Sequence, residues 1–135
     1  MKYLLDTNHW SYIQQGFEPV VRKITSLPPE SLLLMSVVSQ AELMSGVLIL
    51  PEGRRRDALM ALFRESVASA AELVPINSEV AEQFALVFAE LRRIGRPIPT
   101  NDIWLAATAR AHRLTLVSAD KHFAGVDGLT VECWT

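Results

Sequence analysis

Short apolar runs and longer amphipathic stretches alternate along the chain. Tyr3-Leu4-Leu5 carries no charge and stops on Asp6, where the chain turns polar. Leu32-Leu33-Leu34-Met35-Ser36, Leu114-Thr115-Leu116-Val117 and Leu129-Thr130-Val131-Glu132-Cys133 have a similar look. Runs this short read as buried strands of a parallel sheet, although periodicity alone also admits a buried helical segment. Leu73-Val74-Pro75-Ile76 is a briefer extended piece, which Pro75 confines to an edge or a connector.

Between these runs the apolar spacing changes to three and four. His9-Trp10-Ser11-Tyr12-Ile13 predicts a short helix, with Thr7 or Asn8 as its cap and Gly16 near its end. Pro19 to Ile24 predicts a second, with proline in the first turn, and Pro28-Pro29 breaks it. Ser39 before Gln40-Ala41-Glu42-Leu43-Met44 signals a third helix that carries Glu42 in its first turns. From about Glu52 to Glu72, the positions Leu59, Leu62, Phe63, Val67 and Ala70 mark a long amphipathic helix. Ser78-Glu79-Val80-Ala81-Glu82 opens a further helix in the manner of a capping box, running through Phe84, Val87, Phe88 and Leu91 to Gly95. After the stiff Arg96-Pro97-Ile98-Pro99 loop, Thr100 to Ala109 predicts a helix with Asp102 in its first turn. Strands alternating with helices predict an α/β fold, a parallel β-sheet flanked by helices on both faces. No repeat or linker interrupts it, so residues 1–135 are expected to form a single domain.

Composition narrows the function classes. Half of the residues are hydrophobic and 21% are charged, as in ordinary globular chains. The formal net charge of −2 announces no global nucleic-acid field. Arginine nevertheless outnumbers lysine and clusters at Arg54-Arg55-Arg56, at Arg92-Arg93 with Arg96, and at Arg110 with Arg113. Such clusters suit phosphate, though solvated helix faces would use them equally well. The lone Cys133 excludes an intrachain disulfide framework, and its apolar neighbours point to a packing role. Met1 leads straight into the first strand and no apolar run is long enough to cross a bilayer, so a cytoplasmic protein is expected, without signal peptide or membrane partner.

The chemistry lies in four acids. In open α/β sheets the ligand crevice lies outside the carboxyl ends of the strands. Asp6 follows the first strand, Glu42 lies shortly after the second, and Asp120 follows the third long run by way of Ser118. Parallel strands put these three on one edge, and Asp102 joins them if its helix starts there. Singly, each acid reads equally well as a cap, a turn or a group favoured by the helix dipole. Together, without matching cations, they would repel one another or take up protons unless a divalent cation held them ionised. Oxygen ligands suit Mg2+ or Mn2+ rather than zinc, and such an ion can polarise a phosphate oxygen and activate a water for attack on phosphorus. The constellation by itself supports metal-dependent phosphate chemistry.

The motifs sharpen this. Leu4-Leu5-Asp6-Thr7-Asn8, Ser39-Gln40-Ala41-Glu42-Leu43 with Gly46, Thr100-Asn101-Asp102-Ile103-Trp104-Leu105-Ala106-Ala107 and Leu116-Val117-Ser118-Ala119-Asp120-Lys121-His122-Phe123 occur in this order across essentially the whole chain. In this order and spacing they resemble PIN-domain ribonucleases, most of all the VapC toxins of bacterial toxin–antitoxin pairs. The resemblance implies a PIN fold and an acidic quartet, Asp6, Glu42, Asp102 and Asp120, holding Mg2+ or Mn2+ for endonucleolytic cleavage of RNA. It further implies a VapB-type antitoxin as partner, a toxin homodimer, and a structured RNA such as a tRNA as substrate. Ser118 stands where the family often has threonine and keeps the hydroxyl, as a supporting hydrogen-bonding residue; Asp120 completes or tunes the site.

Thr7 and Asn8 read as groups that orient Asp6, or as helix caps. His9, His112 and His122 share no metal-ligand spacing; His112 fits a helix end, and contact with a substrate phosphate is one reading of His122, though not the leading one. Trp10, Trp104 and Trp134 read as core. Trp10, Tyr12, Ile13, Val20, Val21 and Ile24 on the early helices suit either a partner groove or ordinary core packing. There is no glycine-rich phosphate loop and no Ser-His-Asp or Cys-His arrangement. Two competitors stay open. A phosphatase-type metal enzyme would carry a second acid two residues after its nucleophilic aspartate, where this chain has Asn8. A catalytically silent PIN-like protein-binding domain would be marked by the loss of acids, and all four are present.

Overall fold

The computed structural model describes residues 1–135 and is organised about a five-stranded, wholly parallel sheet. In chain order the elements are β1 (Lys2–Leu5), α1 (Thr7–Gln14), α2 (Glu18–Ser26), β2 (Leu32–Ser36), α3 (Val37–Leu48), α4 (Arg54–Ser69), β3 (Glu72–Val74), α5 (Ser78–Arg93), α6 (Thr100–His112), β4 (Thr115–Val117), a 3-10 turn (Lys121–Gly125) and β5 (Val131–Glu132). The spatial order is β3-β2-β1-β4-β5, so the first strand lies at the centre. Leu4 pairs with Leu34 on one side and Leu116 on the other.

Alternation along the strands divides the core into two layers. Leu4, Leu34, Val74 and Leu116 point to one face, against Val87 and Leu91 of α5 and Ile103, Ala106 and Ala109 of α6. Tyr3, Leu5, Met35 and Val117 point to the other, against Trp10 of α1, Val20 of α2 and Trp134 near the C-terminus. Both faces are covered, which is why the strand sequences read as apolar runs rather than as alternating ones. The small side chains Ala106, Ala107 and Ala109 are buried along α6, so this helix can approach its neighbours closely. No helix is long and apolar enough to cross a membrane.

Several local expectations are corrected. The cap of α1 is Asp6, whose side chain accepts from the His9 N–H; it is neither Thr7 nor Asn8. Helix α3 begins at Val37, directly off β2, because Ser36 rather than Ser39 is its cap and its hydroxyl accepts from the Val38 N–H. Glu42 therefore sits in the second turn. Asn77, one residue earlier than the expected capping box, caps α5. The piece around Leu73 is an edge strand, as Pro75 requires, and ends at Val74. Cys133 is exposed, not packed, because the short β5 ends before it. On the early helices Trp10 and Val20 are core, Tyr12, Ile13 and Ile24 pack against it, and of these apolar side chains only Val21 faces outward. Trp10 and Trp134 are buried, whereas Trp104 is half-buried with its ring against Phe84.

Candidate active site

The carboxyl edge of the sheet collects the chemistry. Because β1 is central and β2 and β4 flank it, the residues that follow these strands emerge side by side. Asp6 continues the ladder for one more residue, its N–H donating to the Val117 carbonyl at 3.0 Å. Helix α6 is joined to β4 through a left-handed turn at Arg113 (φ 54°), so it runs back along the sheet and starts at the edge where β4 ends. Its first turn thereby brings Asp102 to Asp120.

Each acid is held by a different local device. Asp6 is 6% exposed, and its Oδ1 accepts from both the His9 backbone N–H (2.8 Å) and the His9 ring Nδ1 (2.9 Å). Glu42 is exposed on α3, and its Oε1 accepts from the Thr7 hydroxyl at 2.7 Å; Ser39 Oγ lies 3.1 Å from the same hydroxyl. The start of α1 is thus tied to α3. Ser118 is buried, and its Oγ accepts from the Asp120 N–H at 3.0 Å, which shapes the turn that carries Asp120. Asp120 then caps the 3-10 turn by accepting from the His122 N–H at 2.9 Å. Asn8 is exposed and makes no side-chain hydrogen bond.

His122 joins two of the acids. Its Nδ1 lies 2.8 Å from Asp102 Oδ2 and 3.1 Å from Asp120 Oδ1. Burial pushes the Asp102 carboxyl above the ordinary carboxylate range; the His122 hydrogen bond opposes that rise, and the charges of Asp120 and Glu42 add to it. The Asp102 hydrogen bond in turn raises His122 above the ordinary imidazole value, with the negative charges of Asp120 and Asp102 adding to it. Through Nδ1 the imidazole bridges the two carboxylates. Ligand atoms of Asp102, Asp120 and His122 all lie within 4.8 Å of one another, close enough to meet on one ion. A mostly oxygen donor set with a surplus of negative charge fits a hard divalent cation.

The structure therefore brings Asp102, Asp120 and the field of Glu42 together and places Asp6 on the adjoining strand end. Two side chains of this site carry little signal in the sequence. His9 bonds Asp6 because a capping side chain aims at the third residue of its helix, so the spacing Asp6–His9 was the available clue. His122 faces the acids through a tight turn that only Ser118 and Asp120 together define. Arg110 is not free for phosphate: it binds Gln83, Glu90 and the Asp127 carbonyl. A cleft of about 320 Å3 opens beside Thr7 and Glu42, between α1, α3 and α4.

Known proteins resemble this chain in sequence and in fold. The family model described as the PIN domain matches residues 3–129. Ribonuclease VapC5 of Mycobacterium tuberculosis is 36% identical over 93 residues, covering 69% of this chain and 67% of that protein. The crystal structure of VapBC-5 from the same organism, a member of the VapBC family of toxin–antitoxin systems, superposes with a TM-score of 0.73 at 31% identity, covering 98% of this chain and 96% of that one. VapBC2 from Rickettsia felis, solved bound to a DNA fragment from its promoter, superposes over the whole of both chains with a TM-score of 0.89, and at 21% identity it shows the shared fold.

Proposed function

The chain belongs to the PIN-domain family, among its VapC-type toxin ribonucleases, and from that premise we propose that it is a Mg2+- or Mn2+-dependent endoribonuclease whose site is the acidic edge of the sheet. The observation that carries this reading is the meeting of Asp102 and Asp120, from separate elements, on the single nitrogen of His122, with Glu42 in their field. Carboxylates brought together in this way repel one another and lose hydration, and a bound cation would offset both costs. Asp6, Glu42, Asp102 and Asp120 would hold the ion. When bound, it supplies Lewis acidity at a phosphate oxygen and a more acidic water for attack on phosphorus.

The remaining roles belong to the chain itself. Thr7 donates to Glu42 and fixes that carboxylate on the helix that starts beside β1. Ser118 accepts from the Asp120 N–H and holds the turn that faces α6. His122 keeps a proton at Nδ1 between Asp102 and Asp120, which relieves their repulsion in the metal-free protein. Exposed Arg54 and Arg55 at the start of α4, Arg93 at the end of α5 and Arg96 beyond it have no ion-pair partner and suit the RNA backbone. Residues 1–135 act as one domain in the cytoplasm. Kinship with VapBC assemblies supports a VapB-type antitoxin as the partner that silences the enzyme; the same reading takes the toxin as a homodimer and a structured RNA such as a tRNA as its substrate.

The test is cleavage of total tRNA and other structured RNAs by antitoxin-free protein, with Mg2+ or Mn2+ against EDTA, for wild type and Asp6→Ala. Metal-dependent cutting that disappears in the variant is the expected result. Equal behaviour of the two proteins across the RNA panel would refute the nuclease and leave a PIN-fold binding domain.

A further inference from the structure

His9 is the most deeply buried ionisable side chain beside the acids, at 0% exposure, and the nuclease reading gives it no role. Its surroundings are built rather than incidental. The ring stands edge-on to Tyr12 (centroids 5.5 Å apart, 83° between planes) and to Trp134 (6.3 Å, 82°). The Trp134 N–H donates to Nε2 at 3.4 Å, although residues 9 and 134 lie at opposite ends of the chain. A nitrogen that accepts carries no hydrogen, so the ring N–H is on Nδ1, and Nδ1 is aimed at Asp6 Oδ1. The same oxygen also accepts the His9 backbone N–H.

Two donors from one residue converge on one oxygen and fix the plane of the carboxylate. Oδ2 receives no protein hydrogen bond and is not sealed from solvent. A helix cap alone needs only the backbone donor. The imidazole is an addition, with a buried cage that holds its orientation.

We infer that His9 is a positioning residue: it clamps Asp6 Oδ1 through Nδ1–H and leaves Oδ2 as the single oxygen that Asp6 offers to a divalent cation. The inference rests on Asp6 being a metal ligand. Fixing the orientation of a ligating carboxylate from behind is worth about ten- to one-hundred-fold in metal affinity. The Trp134 amide belongs to the same device, so the end of the chain helps to set the geometry of the first acid.

The test is direct titration of the purified protein with Mn2+, followed by the loss of the free-ion electron paramagnetic resonance signal, for wild type, His9→Phe, His9→Asn and Asp6→Asn. Phenylalanine keeps the aromatic packing and removes the donor; asparagine restores a donor close to the Nδ1 position. Expected is a Mn2+ dissociation constant raised about ten-fold or more in His9→Phe and largely restored in His9→Asn. A folded His9→Phe that binds Mn2+ as wild type does, or a His9→Asn no better than His9→Phe, overturns the role. A merely structural His9 would shift the melting temperature and leave the affinity alone. Should His9→Phe not fold, nitrogen-15 shifts of the wild-type imidazole decide, and a hydrogen found on Nε2 instead of Nδ1 overturns the inference. Asp6→Asn separates the two readings: unchanged Mn2+ affinity there refutes Asp6 as a ligand, whereas a weakened Asp6→Asn beside an unaffected His9→Phe refutes only the clamp.

Discussion

Replacing Asp102 with asparagine should strengthen the metal-free protein and abolish its response to metal. Asp102 is drawn into a partly buried place where its charge faces those of Asp120 and Glu42. Its ligand atom and that of Asp120 lie no more than 4.8 Å apart. Two unit charges at that separation repel by about 3.5 kcal/mol at an effective dielectric constant near 20, and by about 1 kcal/mol in bulk water. Asp120 is 37% exposed, so the lower part of that range applies. Asparagine keeps the shape but turns the charge-assisted bond with His122 into a weaker one, a loss of about 1 kcal/mol. The net gain is small while His122 is protonated and offsets the repulsion. It grows to about 1 kcal/mol once His122 has lost its proton, which raises Tm by about 3–5 °C for a chain of this size. The sign follows from the raised Asp102 pKa: the ionised form is penalised in the fold, and the penalty fades as pH falls through that raised value. Metal acts oppositely. A ligand at about ten times its Kd stabilises the folded state by about 1.4 kcal/mol, and Asp102→Asn should forfeit this. Differential scanning calorimetry in EDTA and in Mg2+, at neutral and alkaline pH, measures both terms. A lower Tm for Asp102→Asn in EDTA at alkaline pH would refute the repulsion, and an intact Mg2+ increment would refute Asp102 as a ligand.

Three further outcomes are expected. His122 has a raised pKa, so its contribution is full below the ordinary imidazole value and is lost as pH rises through the raised one; metal-free Tm should fall over that interval in wild type, and this slope should be absent from His122→Ala. Thr7→Val removes the hydroxyl that donates to Glu42 and should weaken Mn2+ binding with little change in Tm, which titration and calorimetry on the same sample would show. Arg113 holds a left-handed conformation at the end of α6, and Arg113→Gly should raise stability by about 1 kcal/mol in urea unfolding, since glycine adopts that conformation without a Cβ penalty.

The strand runs were legible because both sheet faces are covered: Leu4 and Leu5 serve opposite layers and both are fully buried, so the sequence had to be apolar at consecutive positions. A parallel sheet then followed from strand–helix alternation, and with it the expectation that Asp6, Glu42 and Asp120 share one edge. Those inferences use only local pattern and the common direction of the strands. Cap identities were off by one to three residues, as at Ser36 against Ser39, because several hydroxyl and amide side chains near a helix start are equally able to cap. Tertiary structure alone decided the contacts that cross the chain. His122 reaches Asp102 over 20 residues, Thr7 reaches Glu42 over 35, and the Trp134 amide reaches His9 over 125. Arg110, which by composition belongs to a phosphate-seeking cluster, is taken by Glu90 and Gln83. Periodicity records which face of an element meets the core; it carries no trace of which two polar side chains, each satisfied in many other ways, meet once the layers have closed.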